Sequence, residues 1–282
     1  MGSVSRRTWA VMVSAVAALA AAPFADAGPG APATTEDRAA GRTMLIGRWD
    51  NDLQVFFAAE TGAKAARTHV AVRPSADGSL AVEIGSQAGQ VARRQTWRVD
   101  NGVLTVVEGK AACRMPARGD GAAFTAAADA VGAAACRKAV GFDALTATPS
   151  ALSLASAGSP TIEARKARGF VCWVAVLRGA KHGDSGQGLD NWQFQRGLWV
   201  HDQGGELPIV TDENPSRAIR LKLRRVEWPS GPNRPSLTLY VHEDPNPRAV
   251  SYAWGEADAT RLGINVRWLQ ASCTADPERP FE

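Results

Sequence analysis

The stretch "GRWDNDLQVFF", residues 47–57, decides how the chain begins to fold. Two readings compete. As an extended segment, Gly47-Arg48-Trp49 would open a β-strand. As a helix, Leu45, Trp49, Leu53 and Phe56 or Phe57 recur one turn apart and share one face. Alternation fails over Asp50-Asn51-Asp52, because three successive polar residues would have to pass through both faces of a strand. The periodicity therefore predicts a helix over 43–58. Trp49 would turn to the core and Asn51 and Gln54 would lie on a different face. Such a helix would act as a lid or entry piece ahead of the main fold.

From residue 66 onward the dominant period is two. "THVAVRP" (68–74) and "SLAVEI" (79–84) read as short strands around the turn "SADG". "RRQTWRV", "DNG" and "VLTVV" read as a hairpin, with Asp100-Asn101-Gly102 as its turn. "ACRM" and "AAFTA" flank a Gly/Asp turn at 119–121, and residues 122–140 read as strand, loop and one short helix. "ALSLAS" is a further strand, and "SAGSP" (156–160) is the best candidate for a boundary.

The second half continues in the same style. "GFVCWVAVL" is apolar on both faces and reads as a central strand. "AIRLKLRRV" alternates Ile219, Leu221 and Leu223 against Arg220, Lys222 and Arg224. "SLTLYVH" and "AVSYAWG" form a hairpin across "EDPNP", and "LGINVRWLQASC" ends the fold. The fold class is all-β with one N-terminal helix, hence a barrel or a sandwich. Residues 42–158 form the first β-region, 159–276 a β-rich extension or second domain, and 277–282 a tail.

Residues 1–27 read as a secretory signal peptide. Arg6 and Arg7 precede the apolar run 8–22, and Ala25-Asp26-Ala27 is a small-residue cleavage site. Residues 28–41 are a small, polar, proline-punctuated leader. The reading places the mature protein in the periplasm or outside the cell, with no stable membrane insertion after cleavage. An oxidising compartment makes the four cysteines candidates for two disulfides. Of the three pairings, Cys113–Cys136 and Cys172–Cys273 are preferred, the second because a long loop removes more unfolded-state entropy. No C-x-x-C occurs, and no metal set is expected. A net charge of +4 from 32 Lys and Arg against 28 Asp and Glu is mild and points to no nucleic-acid partner.

Several motifs of the first half, in order, resemble the CpcT/CpeT family of phycobiliprotein chromophore lyases. "GRWDNDLQ" resembles that family's opening pattern at Gly47, Arg48, Trp49, Asn51 and Gln54. The strand with His69 and Arg73-Pro74, the acid Glu83, the pair Arg94-Gln95, and the block Cys113, Phe124 and Cys136 follow in the family's order. The later family segments have no clear counterpart. The resemblance implies a calyx-shaped, lipocalin-like barrel that holds an open-chain tetrapyrrole (bilin) and transfers it to a protein cysteine. On that reading Arg73 and Arg94 would pair with its propionates, Glu83 would serve its pyrrole nitrogens, His69 would donate a proton and Gln95 would join them. The Gly-x-Trp form also matches the first barrel strand of lipocalins, which the helical periodicity argues against.

Other phrases carry weaker signals. "HGDSGQG" (182–188) contains G-D-S-G, known around protease nucleophiles, but reads as a glycine-rich loop. His201-Asp202 before Gly204-Gly205 reads as a strand end and turn rather than an acid/base or metal site. The Arg220, Lys222 and Arg224 stripe reads as a solvated strand face. The tryptophans of the second half read first as fillers of barrel interiors and interfaces, with a carbohydrate platform or a protein-partner surface as the alternative. The expected functions are thus a lyase-like binder of a bilin or similar small anionic ligand, or a non-catalytic β-protein that binds a carbohydrate or envelope partner.

Overall fold

The computed structural model describes residues 41–87, 90–179 and 191–277. The expected signal segment, residues 28–40 of the leader and the G-D-S-G phrase lie outside the described residues.

Ten antiparallel strands close into a barrel. They are β1 (Gly47–Asp50), β2 (His69–Pro74), β3 (Leu80–Gln87), β4 (Gln90–Asp100), β5 (Val103–Glu108), β6 (Ala111–Gly119), β7 (Phe124–Ala127), β8 (Ala144–Ala147), β9 (Ala151–Ala155) and β10 (Ile162–Lys166). Each pairs with its sequence neighbour, and β1 closes the ring by pairing with both β2 and β10. Closure leaves no unpaired strand edge. Two helices interrupt the meander, α1 (Asp52–Glu60) and α2 (Ala133–Val140).

The quoted stretch therefore divides, which corrects the single helix expected over 43–58. Residues 41–45 form a helical turn, Gly47–Asp50 is the barrel's first strand, and the helix proper starts at Asp52. Trp49 lies opposite Val70 on one side and Lys166 on the other. Alternation failed as a guide because all four residues of β1 are buried, so neither face of this strand is solvated. Gly47 has φ 146°, a conformation that favours glycine, and a side chain there would strike the Lys166 stem. Trp49 does point into the core, as expected, and its indole N–H donates to the Leu45 carbonyl at 3.0 Å.

The barrel interior carries a continuous apolar core. Trp49, Trp97, Leu45, Leu104, Met115 and Leu152 are among its fully buried side chains. Alternation places them correctly elsewhere: in β4, Gln95 and Trp97 turn inward while Arg94 and Arg98 turn out. The "DNG" turn adopts positive φ at Asn101 and Gly102, as a two-residue hairpin turn requires. The "SAGSP" boundary is an ordinary turn between β9 and β10. The chain leaves the barrel only after Lys166, because the short and partly polar β10 supplies the closing pair.

The remaining strands form two four-stranded sheets, ordered β12-β11-β18-β17 and β13-β14-β15-β16. They are β11 (Gly169–Leu177), β12 (Trp192–His201), β13 (Gln203–Val210), β14 (Ala218–Val226), β15 (Ser236–Glu243), β16 (Ser251–Glu256), β17 (Arg261–Val266) and β18 (Leu269–Ala275). Cys172, Val174, Leu221, Leu239 and Ile264 from the two sheets share one core, which makes a sandwich. Barrel and sandwich belong to one compact unit. Among the described residues no helix is long and apolar enough to cross a membrane.

Both preferred disulfides form, and no cysteine is free. Cys113–Cys136 ties α2 to the barrel wall, and Cys172–Cys273 joins directly opposed residues of β11 and β18. Such bonds fit an extracellular or periplasmic protein. The sequence separations are 23 and 101 residues. Chain entropy then predicts losses of about 3.5 and about 4.7 kcal/mol on removing each pair to serine. Denaturant unfolding of the two double variants checks this order; equal losses would contradict it.

Candidate functional site

The five residues expected to hold a tetrapyrrole do not converge. Arg73 and Arg94 both bind Glu83, at 3.2 and 3.3 Å, on the outside of the barrel. Gln95 faces inward, but its amide donates to Glu108 at 2.8 Å and to the Val140 carbonyl at 3.0 Å, and accepts from Trp97 at 2.8 Å. It fastens α2 to the wall. His69 lies elsewhere, at the joint between barrel and sandwich, where its Nδ1 is 2.9 Å from Asp50.

That joint is built from the polar run Asp50-Asn51-Asp52, all three buried. Asn51 accepts from the Thr68 N–H at 2.6 Å and donates to the Ala66 carbonyl at 2.9 Å. It also donates to Gln54 at 3.0 Å, and Gln54 in turn reaches the Thr161 carbonyl and the Glu163 N–H. The two amides therefore share one task, which is to clamp α1 to the segments entering β2 and β10. Asp50 accepts from Arg67 through both oxygens at 3.2 Å and from the Asp52 N–H at 2.8 Å. Arg67 also donates to the Gln203 and Gly204 carbonyls of the sandwich, at 3.1 and 2.7 Å.

Asp52 extends the bridge. It accepts from Arg224 at 2.6 Å and lies 3.2 Å from Lys222, both on β14. The Arg220, Lys222 and Arg224 stripe is thus not a solvated face. Arg224 and Lys222 dock the barrel's helix, and Arg220 pairs with Glu206 at 3.2 Å. Burial pushes the Asp52 carboxyl up, but the Arg224 hydrogen bond and the charges of Arg224, Lys222 and Arg67 outweigh it and hold it at about 2. Gly204, at φ 70°, lies where any side chain would fall on the Asp52 carboxylate.

Beside this bridge two histidines meet. His69 from β2 and His201 from β12 have ring centroids 5.3 Å apart. Arg48 lies over the Trp199 ring at 4.5 Å, and burial followed by the Arg73 charge lowers its pKa to about 10. His201 is 1 % exposed. Burial, then the charges of His69, Arg48 and Arg67, push it well below its ordinary pKa, so its imidazole is neutral at pH 7. Asp202 is committed to Arg168, accepting its backbone N–H at 2.9 Å and its Nε at 2.7 Å. The strand-end reading of His201-Asp202 thus describes Asp202, while His201 belongs to the joint.

A second feature lies on the sandwich. Tyr252 and Trp254, two residues apart on β16, are 63 % and 68 % exposed. Trp254 and the partly exposed Trp228 line a surface cleft of about 480 Å³ together with Asn233, Arg234 and Glu256. Phe57 of α1 packs edge-on against Trp228 at 5.8 Å, and Tyr240 lies 6.3 Å from Tyr252. The sequence pattern singles out the tryptophans of this half but does not join Trp228 to Trp254, because β15 and its flanking turns lie between them and only folding brings them together.

No protein-family model, no curated protein and no solved structure matches this chain. The functional reading therefore rests on its own geometry.

The electrostatics of the joint have a measurable consequence. The Asp52 pKa is depressed from 3.8 to about 2, so its contribution is fully present above about pH 4 and lost as pH falls toward 2. The shift corresponds to about 2 kcal/mol. Denaturant unfolding of wild type and Asp52→Asn between pH 5 and pH 2 should show a shallower pH slope for the variant. Gly204→Ala should cost at least about 1–2 kcal/mol from backbone conformation alone, with Tm as the readout, since the added methyl also displaces Asp52.

Proposed function

We propose that the protein is a non-catalytic binder of envelope or extracellular carbohydrate, and that the Trp228–Trp254 cleft is its binding site. The observation that carries this reading is the exposed Trp254, lining with Trp228 a cleft of about 480 Å³ and joined on the same strand face by the exposed Tyr252. A soluble fold places large aromatics in water at a cost in hydrophobic free energy, so adjacent exposed rings mark a contact surface. A sugar ring suits such a surface. Its C–H face packs on the aromatic face, and its hydroxyls need the hydrogen-bonding rim that Asn233, Arg234 and Glu256 supply.

The cleft suits binding better than hydrolysis. Glycoside cleavage commonly uses two carboxyl groups across the bond. Among the described residues lining the cleft, Glu256 is the one acid. A tetrapyrrole inside the barrel draws less support. Of the side chains that would hold it, Arg73, Arg94 and Glu83 bind one another on the outer wall, Gln95 braces α2 and His69 pairs with Asp50 at the joint, while indole and aliphatic groups form the inner core.

The test is affinity electrophoresis of the purified protein through gels containing single soluble polysaccharides, followed by a glycan array. Retardation by at least one polysaccharide is expected, with Trp254→Ala losing it and melting at the wild-type temperature. Absence of binding across the array, or wild-type retention by Trp254→Ala, would refute the assignment.

A further inference from the structure

We propose that His69 and His201, oriented by Asp50, bind a divalent first-row transition-metal ion of the zinc or copper type at the joint between barrel and sandwich. One potential donor atom from each of these three buried residues lies within 4.8 Å of the other two. The three come from β1, β2 and β12, so the fold assembles the group from positions far apart in the chain.

His201 carries the argument. Among the described residues neither Nδ1 nor Nε2 has a hydrogen-bond partner, and the ring is buried. A neutral imidazole presents one N–H and one lone pair. Leaving a buried polar group unsatisfied is costly, so such groups are rare in native folds and an ion is among the few arrangements that account for one. A metal ion on the lone pair uses it directly. A cavity of about 270 Å³, which His201 lines together with Arg67, Gly204 and Glu206, adjoins the ring and has room for water.

His69 is prepared in a way that metal sites use. Its Nδ1 faces the Asp50 carboxylate at 2.9 Å. A carboxylate on one ring nitrogen sets the tautomer, raises the basicity of the other nitrogen and fixes the ring's direction. The acceptor positions of Asp50 are already used by Arg67, the Asp52 N–H and His69. Asp50 is thus a positioning group for His69, and the ion is held by the two imidazoles with water from the cavity.

The surroundings also choose the kind of ion. Arg67 neutralises Asp50, and Arg48 lies close by, so the site offers no surplus of negative charge. Calcium and magnesium depend on several oxygen ligands and are disfavoured. Zinc and copper bind imidazole strongly enough to do without them. Because His69 belongs to the barrel and His201 to the sandwich, the ion would link the two.

The test uses the whole purified chain, stripped with chelator and titrated with zinc chloride by calorimetry, with the metal remaining after gel filtration measured by mass spectrometry. The expected result is one zinc per chain and a raised Tm. His201→Gln and His69→Gln should each weaken binding by more than about tenfold, while His242→Gln, on β15, should leave it unchanged. Circular dichroism verifies that each variant is folded. Cobalt(II) adds a readout independent of stability, since a tetrahedral nitrogen site gives intense visible bands that His201→Gln should lose. No retained zinc in the wild type, or equal binding by wild type and a folded His201→Gln, would overturn the proposal.

Discussion

The interaction on which the rest of the structure depends is the buried bridge from Asp50 and Asp52 through Arg67 to the sandwich. Four charged side chains, Asp50, Asp52, Arg67 and Arg224, meet where the barrel's first strand turns into α1. Removing charges from water is expensive, and each group here is tolerated because its partners saturate it. The net stabilisation is therefore modest, but the geometry is demanding. A sandwich rotated or shifted on the barrel would leave Asp52 buried without Arg224 and Lys222. The bridge selects one docking arrangement more than it adds to overall stability.

The same corner closes the barrel. Asn51 and Gln54 bind the segments before β2 and around the start of β10, the two strands that flank β1. The linker after β10 is held as well, by the Ala167 N–H on the Arg48 carbonyl and by Arg168 on Asp202. Closure of the barrel and placement of the sandwich are thus one structural event, centred on residues 48–54. The aromatic cleft depends on it too, since α1 brings Phe57 against Trp228.

Much of the β-architecture was legible locally. Alternation located β2 to β6, the "DNG" turn set a hairpin, and cysteine spacing with loop entropy led to the observed pairs. The local pattern misleads where a tertiary neighbour replaces solvent. Asp50, Asn51 and Asp52 broke the alternation because the strand ends at Asp50 and the helix begins at Asp52, and because Asp50 and Asp52 meet buried charge partners where water was expected. Arg220, Lys222 and Arg224 read as a solvent-facing stripe for the same reason. Short strands such as β8 and β10 left no signal, since four or five small or polar residues do not establish a period.

The sequence by itself determined the all-β class, the strand positions with a clear period of two and the disulfide pairs. These follow from local chemistry: side-chain alternation, turn residues with positive φ and the entropy of loop closure. Only the tertiary structure decided that "GRWD" is the strand that closes a barrel, that His69 meets His201, and that Trp228 and Trp254 share a cleft. Each of those facts joins residues distant in the chain. Their energies arise from desolvation and pairing between elements, and no local pattern records which partner will be there.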